Sequence, residues 1–174
     1  NGMFDQNGFK LPLNLKRDSQ ESNAKMARKQ DPVPPFPYEI KEFTFKNEKD
    51  NVVLSGTLTL PDNCPNCPVV IMQTGSGPQN RNSEIMDHRP FWVIADGLSK
   101  SKIAVLRFDD RGVGKSTGNF STATTEDFTN DFLAGIKALK ASGFIDSNQI
   151  GILGHSEGAL VCLQAAKQAS NLAF

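Results

Sequence analysis

The chain has 174 residues, enough for one domain with a hydrophobic core. Its 19 Lys and Arg residues balance its 19 Asp and Glu residues, so no basic excess is available to neutralise phosphates, and we expect no nucleic-acid partner. No apolar run approaches the roughly 18 residues that would cross a bilayer, so no membrane span is expected. The chain begins at Asn1 without the basic and apolar segments of a signal peptide, but its first residue is not Met, so removal of an upstream leader and the location of the protein stay open.

The start of the chain differs in character from the rest. Residues 1–37 are polar and end in a proline-rich stretch, so we expect an irregular, partly extended arm or linker with one short helical turn around residues 24–29. At residue 38 the pattern changes to alternating and continuous apolar segments. We therefore place a folded domain at residues 38–174.

The early part of this domain has the patterns of β-strands. Residues 43–45 and 52–60 alternate between apolar and polar, and the polar residues 47–51 between them predict a hairpin turn. Residues 69–72 and 103–106 are short, continuous apolar runs, which are typical of parallel strands buried on both faces. The sequence thus predicts a sheet that is antiparallel first and parallel thereafter.

Helical patterns separate the parallel strands. Pro90 opens a helix whose apolar face consists of Phe91, Ile94 and Leu98. Thr124 or Thr125 caps a second helix, and Gly143 ends it. The apolar stripe of this helix consists of Phe128, Phe132, Ile136 and Leu139. With a strand at residues 149–153 and a final helix, the element order predicts an α/β fold with three α/β/α layers.

The pentapeptide G-H-S-E-G at residues 154–158 joins the last predicted strand to the last helix. A buried strand, a G-x-S-x-G turn and an apolar helix, in this order, predict a nucleophile elbow with Ser156 as the catalytic nucleophile. Gly154 and Gly158 are expected where the strand and the helix pass too close for a side chain. His155 adjoins the serine, so its ring points away from the hydroxyl, and we expect it to pack under the turn.

A glycine-rich loop follows the first parallel strand, with the sequence T-G-S-G-P-Q-N-R at residues 74–81. A dinucleotide-binding G-x-G-x-x-G pattern would need glycine at Asn80, so that interpretation fails. We interpret the segment as an oxyanion loop, with a plain β–α loop as the alternative. The N–H groups of Ser76 and Glu157 are the predicted donors to the carbonyl oxygen that Ser156 attacks.

The segment D-D-R-G-V-G-K-S at residues 109–116 contains G-K-S, which occurs in phosphate-binding loops. Such a loop would need glycine at Asp109, so the pattern fails there. We expect Asp110 and Arg111 to pair with each other or with neighbouring loops and to brace the rim of the site. A triad of Ser156, His88 and Asp110 is conceivable, because triads occur in several chain orders, although His88 is expected to face solvent.

The three cysteines do not make a disulfide framework. Cys64 and Cys67 form C-P-N-C in a proline-rich turn, for which a redox pair, a local disulfide and half of a zinc site are the alternatives. A zinc site lacks a second pair of ligands, and an inert or locally oxidised turn is favoured. Cys162 is expected to pack in the core. The sequence predicts neither a metal site nor a cofactor.

Together these motifs resemble the α/β-hydrolase superfamily, and more narrowly a bacterial serine esterase and peptidase-like branch. The resemblance runs from about residue 30 to the last residue and rests on PFPYEIKEFTF, LSGTLTLP, GSGPQNR, PFWVIADGLS, AVLRFDDRGVGKSTGNF and IGILGHSEGAL. It implies Ser156 as nucleophile, backbone oxyanion donors at Ser76 and Glu157, and small carboxylic esters, thioesters or amides as substrates. Thr74 stands where relatives often carry histidine or serine. Many members are exported, which favours export over a cytoplasmic location.

The resemblance also implies that residues are missing from the site. The family fold continues with three more strands, a cap and the loops that bear the catalytic Asp and His. We therefore expect this chain to be the N-terminal half, a fragment that is inactive alone. Its strand at residues 149–153 is then a sheet edge, to be covered by the missing half or by another chain. The alternative hypothesis is a non-catalytic binding or assembly module with the same fold.

Overall fold

The fold consists of a hairpin at the start of the chain and an α/β unit built on one sheet. A computed structural model describes residues 2–13 and 28–174. Strands β1 (Gly2–Gln6) and β2 (Phe9–Leu13) form the hairpin. The sheet contains β3 (Tyr38–Asn47), β4 (Val52–Pro61), β5 (Cys67–Gln73), β6 (Ala104–Phe108) and β7 (Ile145–Gly154). The helices are α1 (Pro90–Lys100), α2 (Thr125–Ala141) and α3 (Glu157–Ala166).

The sheet has the strand order β3-β4-β6-β5-β7. β4 pairs with β3 and β6 in antiparallel orientation, whereas β5 pairs with β6 and β7 in parallel. The predicted change from antiparallel to parallel pairing is therefore confirmed. At the end of their shared register, Gln73 of β5 lies opposite Gly154 of β7. The loops that follow these two strands consequently meet at one edge of the sheet.

Helices cover both faces of the sheet, because successive side chains of a buried strand point to opposite sides. Val69 and Ile71 of β5 belong to a core cluster with residues of α2 and α3. Val70 and Met72, the alternate residues of the same strand, pack in a second cluster with Phe91 of α1. The three-layer α/β/α arrangement is thus confirmed, with every residue of β5 except Pro68 buried between the layers.

The helix boundaries follow the predicted signals. Thr124 caps α2 in a capping box, in which its hydroxyl accepts from the Asp127 N–H and the Asp127 carboxylate accepts from the Thr124 N–H. The helix ends at Ala141, and Gly143 follows with a φ of 70°. In α1 the expected apolar face is incomplete, because Ile94 is 39% exposed. Ile94 instead lines a surface cleft beside the turn that follows β7.

β7 ends the sheet order of the described strands, as expected for residues 149–153, but it is longer than predicted and begins at Ile145. Two backbone hydrogen bonds lie on its outer side. The Ala173 N–H donates to the Ile150 carbonyl oxygen at 2.8 Å, and the Ile152 N–H donates to the Phe174 carbonyl oxygen at 3.0 Å. This edge is therefore paired over two residues.

The hairpin at the start of the chain departs from the expected irregular arm. Asn7 and Gly8 occupy its turn with φ angles of 52° and 82°. An Asn-Gly pair suits a two-residue hairpin turn because both positions need positive φ. The Asn-Gly dipeptide and the alternation of Phe9 and Leu11 indicate this hairpin, whereas the polar composition of residues 1–37 favoured an irregular arm. Of the helical turn expected around residues 24–29, residues 24–27 lie outside the described residues.

The cysteines divide into a pair and a single core residue. Cys64 and Cys67 form a disulfide that closes the turn between β4 and β5. Cys162 on α3 is buried, and burial raises the pKa of its thiol to about 12. It therefore packs as an apolar residue, as predicted. In the part of the chain that the structure describes, every helix is too short or too polar to cross a membrane.

Candidate active site

Ser156 lies at the turn between β7 and α3 in an unusual backbone conformation. Its φ and ψ angles are 54° and −120°, a region that costs a residue with a side chain about 1–3 kcal/mol. Neighbouring hydrogen bonds hold this conformation. The His155 N–H donates to the Gln73 carbonyl oxygen at 3.1 Å, and the Gly158 N–H donates to the His155 carbonyl oxygen at 2.9 Å. Ser156 is exposed at the edge where β5 and β7 end.

The two glycines of the turn lie where backbone segments touch. A β-carbon on Gly154 would overlap the Gly158 carbonyl group and come within 2.6 Å of the Ala159 nitrogen. A β-carbon on Gly158 would overlap the carbonyl oxygens of Gln73 and Thr74 at the end of β5. The strand and the helix thus approach each other across positions that have no room for a side chain.

The loop after β5 passes directly beside the serine. A β-carbon on Gly75 would lie 3.0 Å from the Ser156 β-carbon. Among the described residues, the next N–H along the loop, that of Ser76, has no hydrogen-bond acceptor. Glu157 is the first residue of α3, so its N–H has no partner within the helix. The Thr125 hydroxyl donates to the Glu157 carboxylate at 3.0 Å and fixes that side chain against α2.

Asp110 holds the loop at two points. Its carboxylate accepts from the Thr74 hydroxyl at 2.8 Å and from the Gln79 N–H at 3.0 Å, and more distantly from the Gln73 amide at 3.4 Å. Its own N–H donates to the Gln79 carbonyl oxygen at 3.1 Å. Burial raises the pKa of Asp110 to about 6, an effect that the hydrogen bonds oppose and the charge of Asp131 reinforces. A buried carboxylate therefore ties both ends of the segment that carries Ser76.

Arg81 anchors the next part of the same loop on Asp109. Its guanidinium donates to the Asp109 carboxylate at 3.1 and 2.8 Å, and its backbone N–H donates to the same group at 2.8 Å. The guanidinium also donates to the Thr57 and Ser55 hydroxyls of β4 and to the Glu42 carboxylate of β3. Burial opposes ionisation of Asp109, but the hydrogen bonds and charge of Arg81 outweigh it and lower its pKa. Sequence reasoning missed this pair, although the arginine at the end of the loop and the two aspartates that follow β6 were signals for it.

Arg111 serves a different region from Asp110. Its guanidinium donates to Asp131 of α2 at 2.7 and 2.8 Å and to Asp50 of the β3–β4 turn at 2.7 Å. Burial opposes its charge, but these hydrogen bonds prevail and raise its pKa. Asp110 and Arg111 therefore bind neighbouring elements instead of each other. Arg111 holds α2 against the turn between β3 and β4, whereas Asp110 contacts the loop beside Ser156.

The histidines do not assemble a triad with Ser156. The Nδ1 atom of His88 shares a hydrogen bond of 2.9 Å with the Gln30 side-chain amide. The Asp110 carboxylate binds Thr74 and Gln79 of the loop, so the triad of Ser156, His88 and Asp110 is not formed. His155 was expected under the turn but is exposed, because the packed side of the turn is filled by backbone from β5 and α3.

A cleft of about 550 Å³ opens beside the turn. Ser76 and His155 lie on its wall, so it adjoins the loop and the serine. Its lining is largely apolar and includes Pro78, Ile85, Phe91, Ile94 and Leu153. The cleft offers an apolar surface for a substituent of a molecule whose polar centre sits at Ser156.

The acidic residues and the G-K-S segment near the serine have other contacts in the part of the chain that the structure describes. Within residues 2–13 and 28–174, no group of three or more His, Cys, Asp or Glu side chains is arranged to hold a metal ion. In the G-K-S segment, the Ser116 hydroxyl is buried and donates to the Asp109 carbonyl oxygen at 2.8 Å, while Lys115 is exposed. The Ser116 hydroxyl thus binds a backbone carbonyl oxygen, which does not support a phosphate-binding role for this segment.

Comparison with known proteins agrees with this fold. The family model of serine aminopeptidases, S33, matches residues 90–173. The chain is 30% identical over 138 residues to the esterase EstD of Thermotoga maritima, a match that covers 79% of this chain and 32% of that protein. An esterase structure from Pyrococcus furiosus is 32% identical, with a TM-score of 0.63, over 78% of this chain and 47% of that one.

A structure with lower sequence identity has the same architecture. The α/β hydrolase GrgF of Penicillium sp. sh18 is 24% identical with a TM-score of 0.64, over 79% of this chain and 44% of that chain. The chain thus spans between about a third and a half of the length of these proteins. These similarities extend over most of this chain, and they agree with its mixed sheet and with the helices on both faces of that sheet. The chain therefore has a partial α/β-hydrolase fold.

Proposed function

We propose that the protein is a serine hydrolase that cleaves carboxylic esters through an acyl-enzyme on Ser156. The observation that carries the proposal is the positive-φ conformation of an exposed serine between a buried strand and a helix. Such strain persists only where surrounding structure enforces it, and it is typical of functional sites. The esterases of Thermotoga maritima and Pyrococcus furiosus support the choice of ester substrates.

In the proposed reaction, the Ser156 oxygen attacks the acyl carbonyl carbon while a base takes the hydroxyl proton. The carbonyl oxygen becomes negatively charged, and the bond to the alcohol oxygen then breaks as the base returns its proton to the departing alcohol. A water molecule, deprotonated by the same base, attacks the acyl-enzyme. The carboxylic acid leaves and the proton returns to Ser156, so the enzyme is restored.

The backbone N–H groups of Ser76 and Glu157 are the proposed oxyanion donors. Support comes from their lack of other acceptors in the described residues and from the closeness of the loop to Ser156. The start of α3 adds a helix dipole that favours negative charge. A single donor of this kind contributes about 3 kcal/mol to lowering the barrier in serine hydrolases.

The base and its acid partner are proposed to come from outside residues 1–174, as a histidine and a carboxylate. The support is geometric: His88 is bonded to Gln30, and His155 adjoins Ser156 in sequence. The isolated segment is then expected to hydrolyse esters poorly, because the loss of triad partners costs several orders of magnitude in rate.

The test is hydrolysis of p-nitrophenyl acetate by the full-length gene product, followed in the first turnovers. We expect a burst of p-nitrophenol that approaches one equivalent per protein, followed by a slower steady rate. Ser156→Ala should remove both phases, while the exposed-serine control Ser170→Ala should retain them. Equal hydrolysis by the wild type and Ser156→Ala above the rate in buffer would contradict Ser156 as the nucleophile. Hydrolysis by the wild type at the rate in buffer would contradict the proposal as a whole and favour a non-catalytic binding or assembly module.

A further inference from the structure

We propose that Asp110 is the positioning residue of the oxyanion loop: its carboxylate sets the place of the Ser76 N–H by binding the loop on both sides of it. This inference rests on the proposed function, since it assigns a task to the loop in that reaction. Asp110 does not touch the substrate in this account. It acts through Thr74 and Gln79, which flank the donor.

The two contacts enclose a short and flexible stretch of backbone. Thr74 lies two residues before Ser76, and Gln79 lies three residues after it. Gly75 and Gly77 flank Ser76 directly, and Gly77 has a φ of 87°. Glycine restricts the backbone least of all residues, so this stretch has little stiffness of its own. Within the stretch, the Gln79 side-chain amide donates to the Ser76 carbonyl oxygen at 3.0 Å. Asp110 binds both ends of the stretch, at Thr74 and at Gln79, and so also holds the residue that makes this inner contact.

The buried contacts around Asp110 are directed at the loop. Asp110 and Thr74 are each 3% exposed, and Gln73 is 4% exposed. Three donors converge on the carboxylate, from Thr74, Gln79 and Gln73. An anionic acceptor can receive all three at once, because a carboxylate has about four lone-pair sites. A neutral amide at this position offers one oxygen and places an NH₂ group against another donor.

Asp110 also closes a backbone link with the same segment. Its N–H donates to the Gln79 carbonyl oxygen at 3.1 Å, while its side chain accepts from the Gln79 N–H at 3.0 Å. Gln79 is thereby held through both of its peptide groups. The Arg81–Asp109 pair fixes the chain only beyond this point, so it does not replace Asp110 at the Thr74 end. Asp110, two residues after the end of β6, thus makes the contacts that hold the start of the oxyanion loop.

The test compares variants in the full-length gene product with p-nitrophenyl acetate as substrate. Asp110→Ala should lower kcat by about 10- to 100-fold with KM changed less than about twofold, because a misplaced donor weakens transition-state binding more than substrate binding. Asp110→Asn, which keeps one acceptor, should lose less. Thr74→Val should lower kcat in the same sense, since it removes one of the two anchoring contacts.

A matched control separates positioning from general destabilisation. Asp131→Asn alters another buried aspartate, whose hydrogen bonds go to Arg111 and Asn47 and not to residues 74–81. The assays are run at pH 8, where Asp110, with a pKa of about 6, is ionised whether or not the charge of Asp131 is present. Asp131→Asn should lower thermal stability and leave kcat of the folded protein unchanged. A kcat for Asp110→Ala within twofold of the wild type, or an equal loss of kcat in Asp131→Asn, would overturn the inference.

Amide hydrogen exchange of residues 74–79 supplies a readout that does not depend on activity. In Asp110→Ala, exchange in this segment should be faster than in the wild type, while exchange in α3 stays the same. Unchanged exchange in residues 74–79 would also overturn the inference. A wild-type protein without Ser156-dependent hydrolysis would refute the proposed function instead, and the exchange comparison would still decide whether Asp110 positions the loop.

Discussion

The carbonyl oxygen of Thr74 occupies the space where a β-carbon of Gly158 would stand. The end of β5 and the first turn of α3 therefore touch through backbone atoms. This contact joins the strand that leads into the oxyanion loop to the helix that follows Ser156. The proposed nucleophile and its proposed oxyanion donors are held together at this point.

We predict that Gly158→Ala destabilises the protein. The added methyl group must displace the backbone of β5 or α3, and overpacking of this kind costs about 1–3 kcal/mol. Urea unfolding of the two proteins measures the difference. Gly97→Ala in α1 is the matched control, because no atom of the described residues lies within 4 Å of a β-carbon there. It should stabilise the protein by about 0.5–1 kcal/mol, since glycine is a poor residue inside a helix. Equal effects at both positions would contradict the close approach.

We predict that Asp110 makes stability fall as the pH rises through the weakly acidic range. Burial lifts its pKa from 3.8 to about 6, so between these values the folded protein retains a proton that the unfolded chain releases. The free energy of unfolding then decreases from pH 4 to pH 6, by about 3 kcal/mol from this residue. Asp110→Asn has no such titration.

Urea unfolding from pH 4 to pH 7 tests this prediction. Relative to the wild type, Asp110→Asn should gain about 3 kcal/mol of stability across the range. A difference between the two proteins that stays constant with pH would show that Asp110 does not titrate in this window. The expected gain also means that the ionised carboxylate, which we propose to position the loop, lowers the stability of the fold.

We predict a large loss of stability on removal of the carboxylate that pairs with Arg111. The side chains of Arg111 and Asp131 are 7% and 1% exposed, so Asp131→Ala leaves a buried cation with fewer partners. A loss of about 3 kcal/mol or more is expected in thermal or urea unfolding. Glu126→Ala is the control, because the Lys49–Glu126 pair is 62% and 78% exposed and should contribute less than about 1 kcal/mol. Similar losses in both variants would contradict the burial argument.

The regular elements could be predicted from the sequence wherever a local pattern controls them. The apolar runs of β5 and β6 predicted buried strands, and the threonines at 124 and 125 predicted the start of α2, which Thr124 caps. The Asn7–Gly8 hairpin was missed because composition over a long window was given more weight than one dipeptide. Where a local signal existed, a prediction was therefore possible.

The anchors of the loop were harder to predict, because their partners are distant in sequence. Asp110 binds Thr74 across 36 positions, and Arg81 binds Asp109 across 28. No periodicity in the chain indicates which of the adjacent aspartates faces which donor. Only the strand order, which places β6 beside β5, brings these residues into contact.

The most direct test of the central proposal is covalent labelling of the full-length gene product with a fluorophosphonate, with the modified residue located by mass spectrometry of its peptides. We predict one adduct, on Ser156, which disappears in Ser156→Ala and persists in Ser170→Ala. Labelling of a different serine in the folded protein, or no labelling at all, would contradict the assignment of Ser156 as the nucleophile.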